Sequence, residues 1–126
     1  MSLVKQTDII VGGGDPITVL LLEETTKETC SELNLAETVA LYVEAELTYD
    51  ASATFPAVIK IYGSTRSGIY STESIYEFRM PFTPGASIIF GQSIPCTSHY
   101  LKATIQNPNA QDLTNCRIRT TRQLVV

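Results

Sequence analysis

Residues Val39–Leu47 read VALYVEAEL, and every second position of this stretch carries an aliphatic side chain. The positions between them include Tyr42, Glu44 and Glu46. Successive side chains of a β-strand point to opposite faces, so this alternation predicts a strand with one buried face and one face in water. The stretch therefore favours a fold built from strands.

Four further segments show the same two-residue period. β-Branched and aromatic residues fill most of their positions, as strands prefer. The segments are AVIKIY (57–62), SIYEFRMPF (74–82), HYLKATIQ (99–106) and CRIRTTRQL (116–124). Turn sequences rich in Gly, Pro, Asn and Asp lie between the strands, such as GGGDP and NPNA, and they bring the chain back on itself.

Short strands at regular spacing, with turns between them and no long helical pattern, predict the fold class. We expect an all-β, antiparallel β-sandwich of jelly-roll type with about eight strands, as one domain over residues 1–126. Further strands are expected at 17–23, near 25–30 and at 86–90, and a short helical turn at 32–37. The predicted core consists of Leu41, Val43, Ile59, Ile61, Phe78, Met80, Leu101, Ile105 and Ile118.

The net charge of −4 gives no general attraction to nucleic acid or to anionic lipid. The charge is unevenly distributed, since residues 1–59 hold ten acids and two bases and residues 60–126 hold seven bases and three acids. One interpretation is pairing inside one domain, with Glu23, Glu28 and Glu32 on a strand beside the strand that carries Arg117, Arg119 and Arg122. The other is that the acidic and basic ends meet between subunits.

The apolar runs are too short to span a membrane, and no basic region followed by an apolar segment indicates a secretory signal. Three widely spaced cysteines are an odd number and lack a Cys-x-x-Cys motif, so we expect reduced thiols rather than a disulfide framework. The sequence therefore predicts a cytoplasmic protein.

Two segments of the sequence resemble chemical sites. The segment VGGGDP lacks the Gly-Lys-Ser/Thr of a phosphate loop, and Ile17 stands where a dinucleotide fingerprint needs its third glycine, which favours a flexible turn. His99 is the one histidine of the chain, with Cys96 and Ser98 nearby, but no metal-ligand spacing or nucleophile elbow accompanies it. We expect no metal and no cofactor.

Glu44 and Glu46 share one strand face about 7 Å apart, given the rise per residue of a strand. A glycosidase needs two carboxylates on either side of a sugar bond, and two neighbours on one exposed face match that need poorly. We expect these acids to pair with Lys60 or Lys102 instead. Nothing in the sequence requires an enzyme.

Tyrosines and a long loop mark the predicted contact surface. Tyr42, Tyr62 and Tyr100 fall on the polar sides of their strands and would form one patch if those strands were neighbours, although loops could cover them. Residues 63–74 are longer than a tight hairpin loop, and Arg66 and Tyr70 are its candidate contact residues. A sugar platform would usually include tryptophan, which this chain lacks.

The segments VALYVEAELTYDASATFPAVIKIYGSTRSGIYSTESIYEFRMPF and YLKATIQNPNAQDLTNCRIRTT resemble small β-sandwich proteins from phage and prophage structural-gene regions. These include jelly-roll proteins of tail, neck and capsid-decorating type, and the similarity covers roughly residues 36–122. The resemblance rests on an amphipathic strand, a Gly-Ser-x-x-x-Gly-x-Tyr hairpin and a Tyr-Leu-Lys-Ala-Thr-Ile-x-Asn strand. It implies a role in assembly or attachment and, if the protein is phage-derived, a virion-associated location.

The predicted function is a non-enzymatic structural or adhesion module that acts through protein–protein contacts, as a homo-oligomer or in a larger assembly. Contact would use the three tyrosines and the loop with Arg66 and Tyr70. The alternative is a carbohydrate-binding β-sandwich that uses the loop tyrosine and Arg66. A hydrolase built on the two glutamates is the third class.

Overall fold

The computed structural model describes residues 2–125 and contains nine strands and one short 3₁₀ turn at Lys27–Thr29. The strands are β1 (Leu3–Val11), β2 (Ile17–Val19), β3 (Leu33–Asn34), β4 (Thr38–Thr48), β5 (Val58–Ser64), β6 (Tyr76–Arg79), β7 (Ser87–Ser93), β8 (Tyr100–Gln106) and β9 (Leu113–Val125). All strand pairs are antiparallel. The predicted all-β, antiparallel β-sandwich of jelly-roll type is confirmed.

Two sheets form the layers of the sandwich. The first has the strand order β1-β9-β4-β7, and β2 pairs with the beginning of β9 on the same side as β1. The second has the order β3-β8-β5-β6. Because β1 and β9 pair along their lengths, Leu3 near the start of the described residues lies opposite Val125 at their end.

The core lies between the sheets, and all nine residues predicted for it are buried. The alternation in β4 places Leu41, Val43, Ala45 and Leu47 inside, whereas Glu44 and Glu46 remain partly exposed on the outer face. The same two-residue period orients β5 and β8. The alternating pattern was sufficient to predict which side chains are buried, because each of these strands has one face in the core and one face in water.

The region between β2 and β4 differs from the sequence prediction. The strand expected at 17–23 ends at Val19, because Leu22 adopts a left-handed φ of 56° and turns the chain. The strand expected near 25–30 is wrong, since this part contains the 3₁₀ turn. The helical turn expected at 32–37 is also wrong: Leu33 and Leu35 are both buried, and this part pairs with the edge of β8.

Candidate interaction surfaces

The three strand tyrosines do not share a face. Tyr42 lies on β4 in the first sheet, whereas Tyr62 on β5 and Tyr100 on β8 belong to the second sheet. The predicted three-tyrosine patch is therefore wrong. Alternation identifies which side of a strand is polar, but it does not tell which sheet the strand joins.

Tyr62 is covered by the segment that precedes β3 and is only 4% exposed. Its hydroxyl donates to Glu24 Oε2 at 3.1 Å, and the ammonium of Lys27 lies 4.2 Å from its ring centroid. Glu24 also accepts hydrogen bonds from Lys60 Nζ at 3.1 Å and Thr104 Oγ1 at 2.8 Å. Tyr62 therefore holds this segment on the sheet and is not an accessible contact residue.

The electrostatics of Glu24 agree with this structural role. Partial burial favours the neutral carboxyl and raises its pKa, but the hydrogen bonds from Thr104, Lys60 and Tyr62 together outweigh burial and lower the pKa from its ordinary value. The Glu24 hydrogen bond in turn raises the pKa of Lys60. Both groups are thus held in their charged forms.

The loop between β5 and β6 is fastened by a residue that the sequence analysis assigned elsewhere. Glu32 accepts hydrogen bonds from Ser67 Oγ, from the Gly68 amide at 2.8 Å and from the Tyr70 hydroxyl at 2.8 Å. The Ser67 and Gly68 hydrogen bonds are the main causes that lower the pKa of Glu32. Gly68 has a φ of 76°, a conformation that L side chains rarely adopt.

The remaining predicted contact residues differ in exposure. Arg66 is exposed and forms no ion pair within residues 2–125. Tyr70 is half-buried, with Lys102 Nζ 5.7 Å from its ring; desolvation, followed by the Glu32 hydrogen bond, raises its pKa. Tyr100 is half-buried at the rim of a cavity that also holds His99. Tyr70 is therefore already in contact with Glu32 and Lys102, whereas Arg66 is accessible.

The basic residues of β9 form ion pairs within the chain, and Arg117 and Arg119 do so on the outer face of the first sheet. Arg119 bridges Glu44 at 3.6 Å and Glu46 at 3.0 Å, and Arg117 lies 3.6 Å from Glu46. Arg122 pairs with Asp8 at 3.0 Å. The basic residues of β9 are thus paired within one chain, as one interpretation of the sequence expected. Their acidic partners lie on β4 and β1 and are not the predicted glutamates.

The acids predicted to pair with β9 lie elsewhere, because Glu23, Glu28 and Glu32 all precede β4 and none belongs to a strand beside β9. The pairing expected between the two β4 glutamates and Lys60 or Lys102 is also wrong. Both lysines belong to the second sheet, and Lys60 pairs with Glu24. The β4 glutamates pair instead with Arg117 and Arg119 of the neighbouring strand.

The cavity beside His99 contains the other nucleophile candidates of the sequence. It has a volume of about 490 Å³ and is lined partly by Cys96 and Ser98. Burial raises the pKa of the Cys96 thiol, which disfavours the nucleophilic thiolate. Among residues 2–125, no group of three or more His, Cys, Asp or Glu side chains could hold a metal ion. Nor does this part of the chain contain a helix long and apolar enough to cross a membrane.

Among the described residues, seven of the twelve large hydrophobic side chains that are exposed lie at two opposite ends of the sandwich. The asparagine end consists of Leu20–Leu22 and Phe55, which meet at Asn109: the Leu22 amide donates to the Asn109 carbonyl at 2.9 Å, and the Phe55 amide donates to Asn109 Oδ1 at 2.8 Å. The termini end consists of Leu3, Val4 and Val39. These ends were not predicted, although the LLL run that follows a proline was visible in the sequence.

A third exposed feature lies on the outer face of the first sheet. Tyr42 is 40% exposed, and its ring lies against Gly91 of the neighbouring β7: a Cβ at Gly91 would sit 2.8 Å from two ring carbons of Tyr42. A depression of about 320 Å³ opens beside this ring. Its lining residues are Lys5, Ala40, Leu41, Tyr42, Ser93, Thr121, Arg122 and Gln123.

No family model matches the chain, and no curated protein sequence matches it significantly. Solved structures are similar in fold. A subunit of the disulfide-linked pili of Bacillus endospore appendages is 16% identical, with a TM-score of 0.51 over 99% of this chain and 90% of that one. Latent PorU from Porphyromonas gingivalis is 12% identical, with a TM-score of 0.58 over 98% of this chain but only 13% of PorU.

A carbohydrate-binding module of lichenase 5A from Cellvibrio mixtus, solved with cellotriose, is 8% identical. Its TM-score is 0.49 over 97% of this chain and 87% of that one. At these identities the likeness concerns the fold alone.

Proposed function

We propose that this chain is a non-enzymatic structural module that assembles with copies of itself through protein–protein contacts. The observation that carries the proposal is the pair of apolar ends, the asparagine end and the termini end. Apolar side chains exposed together on a small protein mark interaction sites more often than single exposed ones do. Assembly in the pili with a similar fold is consistent with this role.

The two ends suit head-to-tail contact. Strand β9 begins at Leu113, four residues after Asn109, and finishes at Val125 beside Leu3, so it connects one end to the other. Thirteen strand residues span about 40 Å. Two different surfaces at opposite ends favour a heterologous interface, which gives rings or open filaments.

The asparagine end has the rigidity that a contact surface needs. The Leu21 amide donates to Asp112 Oδ1 at 3.0 Å, and the Leu22 amide is fixed by Asn109. Leu22 is held with φ at 56°, which is costly for a branched side chain and persists only where the surroundings fix it. Side chains that are ordered before binding lose less entropy on association.

Other predicted contact residues fit the same proposal. Tyr42 and Arg66 remain accessible. Arg66 would contact neighbouring subunits or other assembly partners. An assembly role would also fit the phage or prophage structural proteins that the sequence resembles, and with them a virion-associated location. The ion pairs of β9 are satisfied within the chain, so we expect apolar contacts rather than charge to drive association.

The test is light scattering after size-exclusion chromatography over a range of protein concentrations. Leu22→Asn removes the most exposed leucine and keeps the backbone, since Asn tolerates a left-handed φ. Val39→Thr changes the termini end and keeps a β-branched residue. Ile89→Thr, an equally exposed isoleucine on the outer face away from both ends, is the control.

We expect wild type and Ile89→Thr to form concentration-dependent oligomers that persist at high salt, and each end variant to form fewer. In a mixture of the two variants, the intact asparagine end of Val39→Thr can still bind the intact termini end of Leu22→Asn. The other end of each variant is altered, so the mixture should form dimers but no trimers or larger oligomers. A monomeric wild type at every concentration, or oligomers that neither end variant weakens, would contradict the proposal.

A further inference from the structure

We infer that the depression beside Tyr42 on the outer face of the first sheet binds an oligosaccharide that carries carboxylate groups. This site adjoins the termini end, because its lining residues Lys5 and Ala40 follow Val4 and Val39 in the chain. It uses other side chains, so its test does not require the proposed assembly. Its volume of about 320 Å³ lies at the lower end of the range for small-ligand sites, which suits one or two sugar units.

The position of the Tyr42 ring is the first argument. Gly91 leaves room for the ring to lie across β7, because a Cβ there would approach two ring carbons to 2.8 Å. The ring therefore rests on the sheet with one side supported, and it stays 40% exposed. The negative face of an aromatic ring attracts the weakly positive C–H groups on the apolar side of a sugar ring.

Polar groups around the ring are the second argument. The hydroxyls of Ser93 and Thr121 and the amide of Gln123 supply both donors and acceptors. Ser93 lies directly opposite Tyr42 on β7, and Thr121 lies opposite it on β9, so the ring has a hydroxyl on each side. A sugar presents the same mixture of donors and acceptors around an apolar face.

The charge of the lining selects an acidic sugar. Lys5 lines the depression, and no carboxylate does, although the whole chain has a net charge of −4. Arg122 pairs in register with the buried Leu41, so its side chain leaves the outer face, and its guanidinium donates to the Asn34 carbonyl of the second sheet. Arg122 is already paired with Asp8, whereas Lys5 is exposed and forms no ion pair within residues 2–125. Lys5 is therefore the available cation for a ligand carboxylate.

The experiment is a titration of the ¹⁵N-labelled full chain, followed by NMR, with trigalacturonate and with the neutral cellotriose. We expect saturable shifts at the amides of β4, β7 and β9 with trigalacturonate and weaker binding of cellotriose. Tyr42→Leu should weaken trigalacturonate binding about tenfold or more, as the loss of one stacked ring implies. Tyr42→Phe, which keeps the ring, should bind nearly as wild type does.

Lys5→Gln should reduce the preference for trigalacturonate over cellotriose, and Ile89→Thr on the same face should change neither. Lys5 is exposed on an edge strand, so this variant remains informative even if Tyr42→Leu folds poorly. No saturable binding of trigalacturonate, equal binding of both trisaccharides, or binding unchanged in both Tyr42→Leu and Lys5→Gln would overturn the inference.

Discussion

The Tyr70 hydroxyl donates a hydrogen bond of 2.8 Å to Glu32, which lies 38 positions earlier in the chain. The same carboxylate accepts hydrogen bonds from Ser67 and from the Gly68 amide. One acidic side chain thus receives three donors from a single loop. This clamp explains how a loop too long for a tight hairpin keeps one conformation, since its exposed residues contribute little packing of their own.

Glu32→Gln should loosen this loop. The amide is the same size as the carboxylate but lacks the charge that strengthens the three hydrogen bonds, and its NH₂ group cannot accept them. Arg66, the exposed basic residue of the loop, would then be cut more quickly by trypsin, because proteolysis follows local opening. Glu28→Gln is the control, since Glu28 is exposed and lies on the neighbouring 3₁₀ turn. Equal cleavage of both variants would contradict the clamp.

The clamp should also depend on pH. Because the hydrogen bonds from Ser67 and Gly68 lower the pKa of Glu32 in the folded chain, their stabilisation is present above the ordinary value of 4.5 and is lost as the pH falls through the lowered folded value. The NMR shift of the Gly68 amide should therefore titrate with a midpoint below 4.5. A midpoint at or above the ordinary value would show that the carboxylate is not held in this way.

Asn109→Ala should be among the most destabilising single changes. Asn109 is buried, its Oδ1 accepts hydrogen bonds from the amides of Thr54 and Phe55, and its Nδ2 donates to the Phe55 carbonyl at 2.9 Å. Alanine leaves these backbone groups without partners, at a cost of about 2–3 kcal/mol in the free energy of unfolding. Urea denaturation measures this, with Gln111→Ala in the same turn as the control.

The three thiols should differ in reactivity. Burial raises the pKa of Cys30 to about 11 and of Cys116 to about 12, and the Cys30 sulfur also accepts a hydrogen bond from the Ala103 amide. Cys96 is only partly buried. A thiol reagent at about pH 8, near the ordinary cysteine pKa, should therefore modify one cysteine in the native protein and all three in urea. Modification of Cys30 or Cys116 without unfolding would contradict the buried positions.

The sequence predicted those parts of the fold in which a local pattern determines the outcome. Every predicted core residue is buried because strands such as β4 and β8 have one dry face, and a two-residue period reads that face directly. The hairpin of β5 and β6 around residues 63–74 was also visible, since turn residues separate two alternating runs.

The sheet that each strand joins, and contacts between residues distant in sequence, could not be predicted from local patterns. Tyr42 and Tyr62 alternate alike, yet they lie on different sheets, because strand order depends on the packing of the whole chain. Glu32 appeared to belong to an acidic strand, but three donors from a distant loop fix it. The left-handed Leu22 also gives no local signal, since glycine or asparagine usually marks such a position.

The ion pairs of Arg119 allow the effect of charge on folding to be distinguished from its effect on association between subunits. Arg119 bridges Glu44 and Glu46 on the outer face, where all three side chains are partly exposed, so the pairs contribute little. Arg119→Gln should lower the free energy of unfolding by less than about 1 kcal/mol at low salt. The difference should vanish at about 1 M NaCl, where the Debye length is about 3 Å.

Oligomer size should not change in Arg119→Gln, because both partners of the arginine belong to its own chain. Arg66→Gln is the matched control, since Arg66 forms no ion pair within residues 2–125 and its loss should leave stability unchanged. Light scattering and urea denaturation on the same samples give both quantities. If Arg119→Gln dissociated the oligomer at low salt, the uneven charge of the chain would act between subunits, and the apolar ends would not be sufficient for assembly.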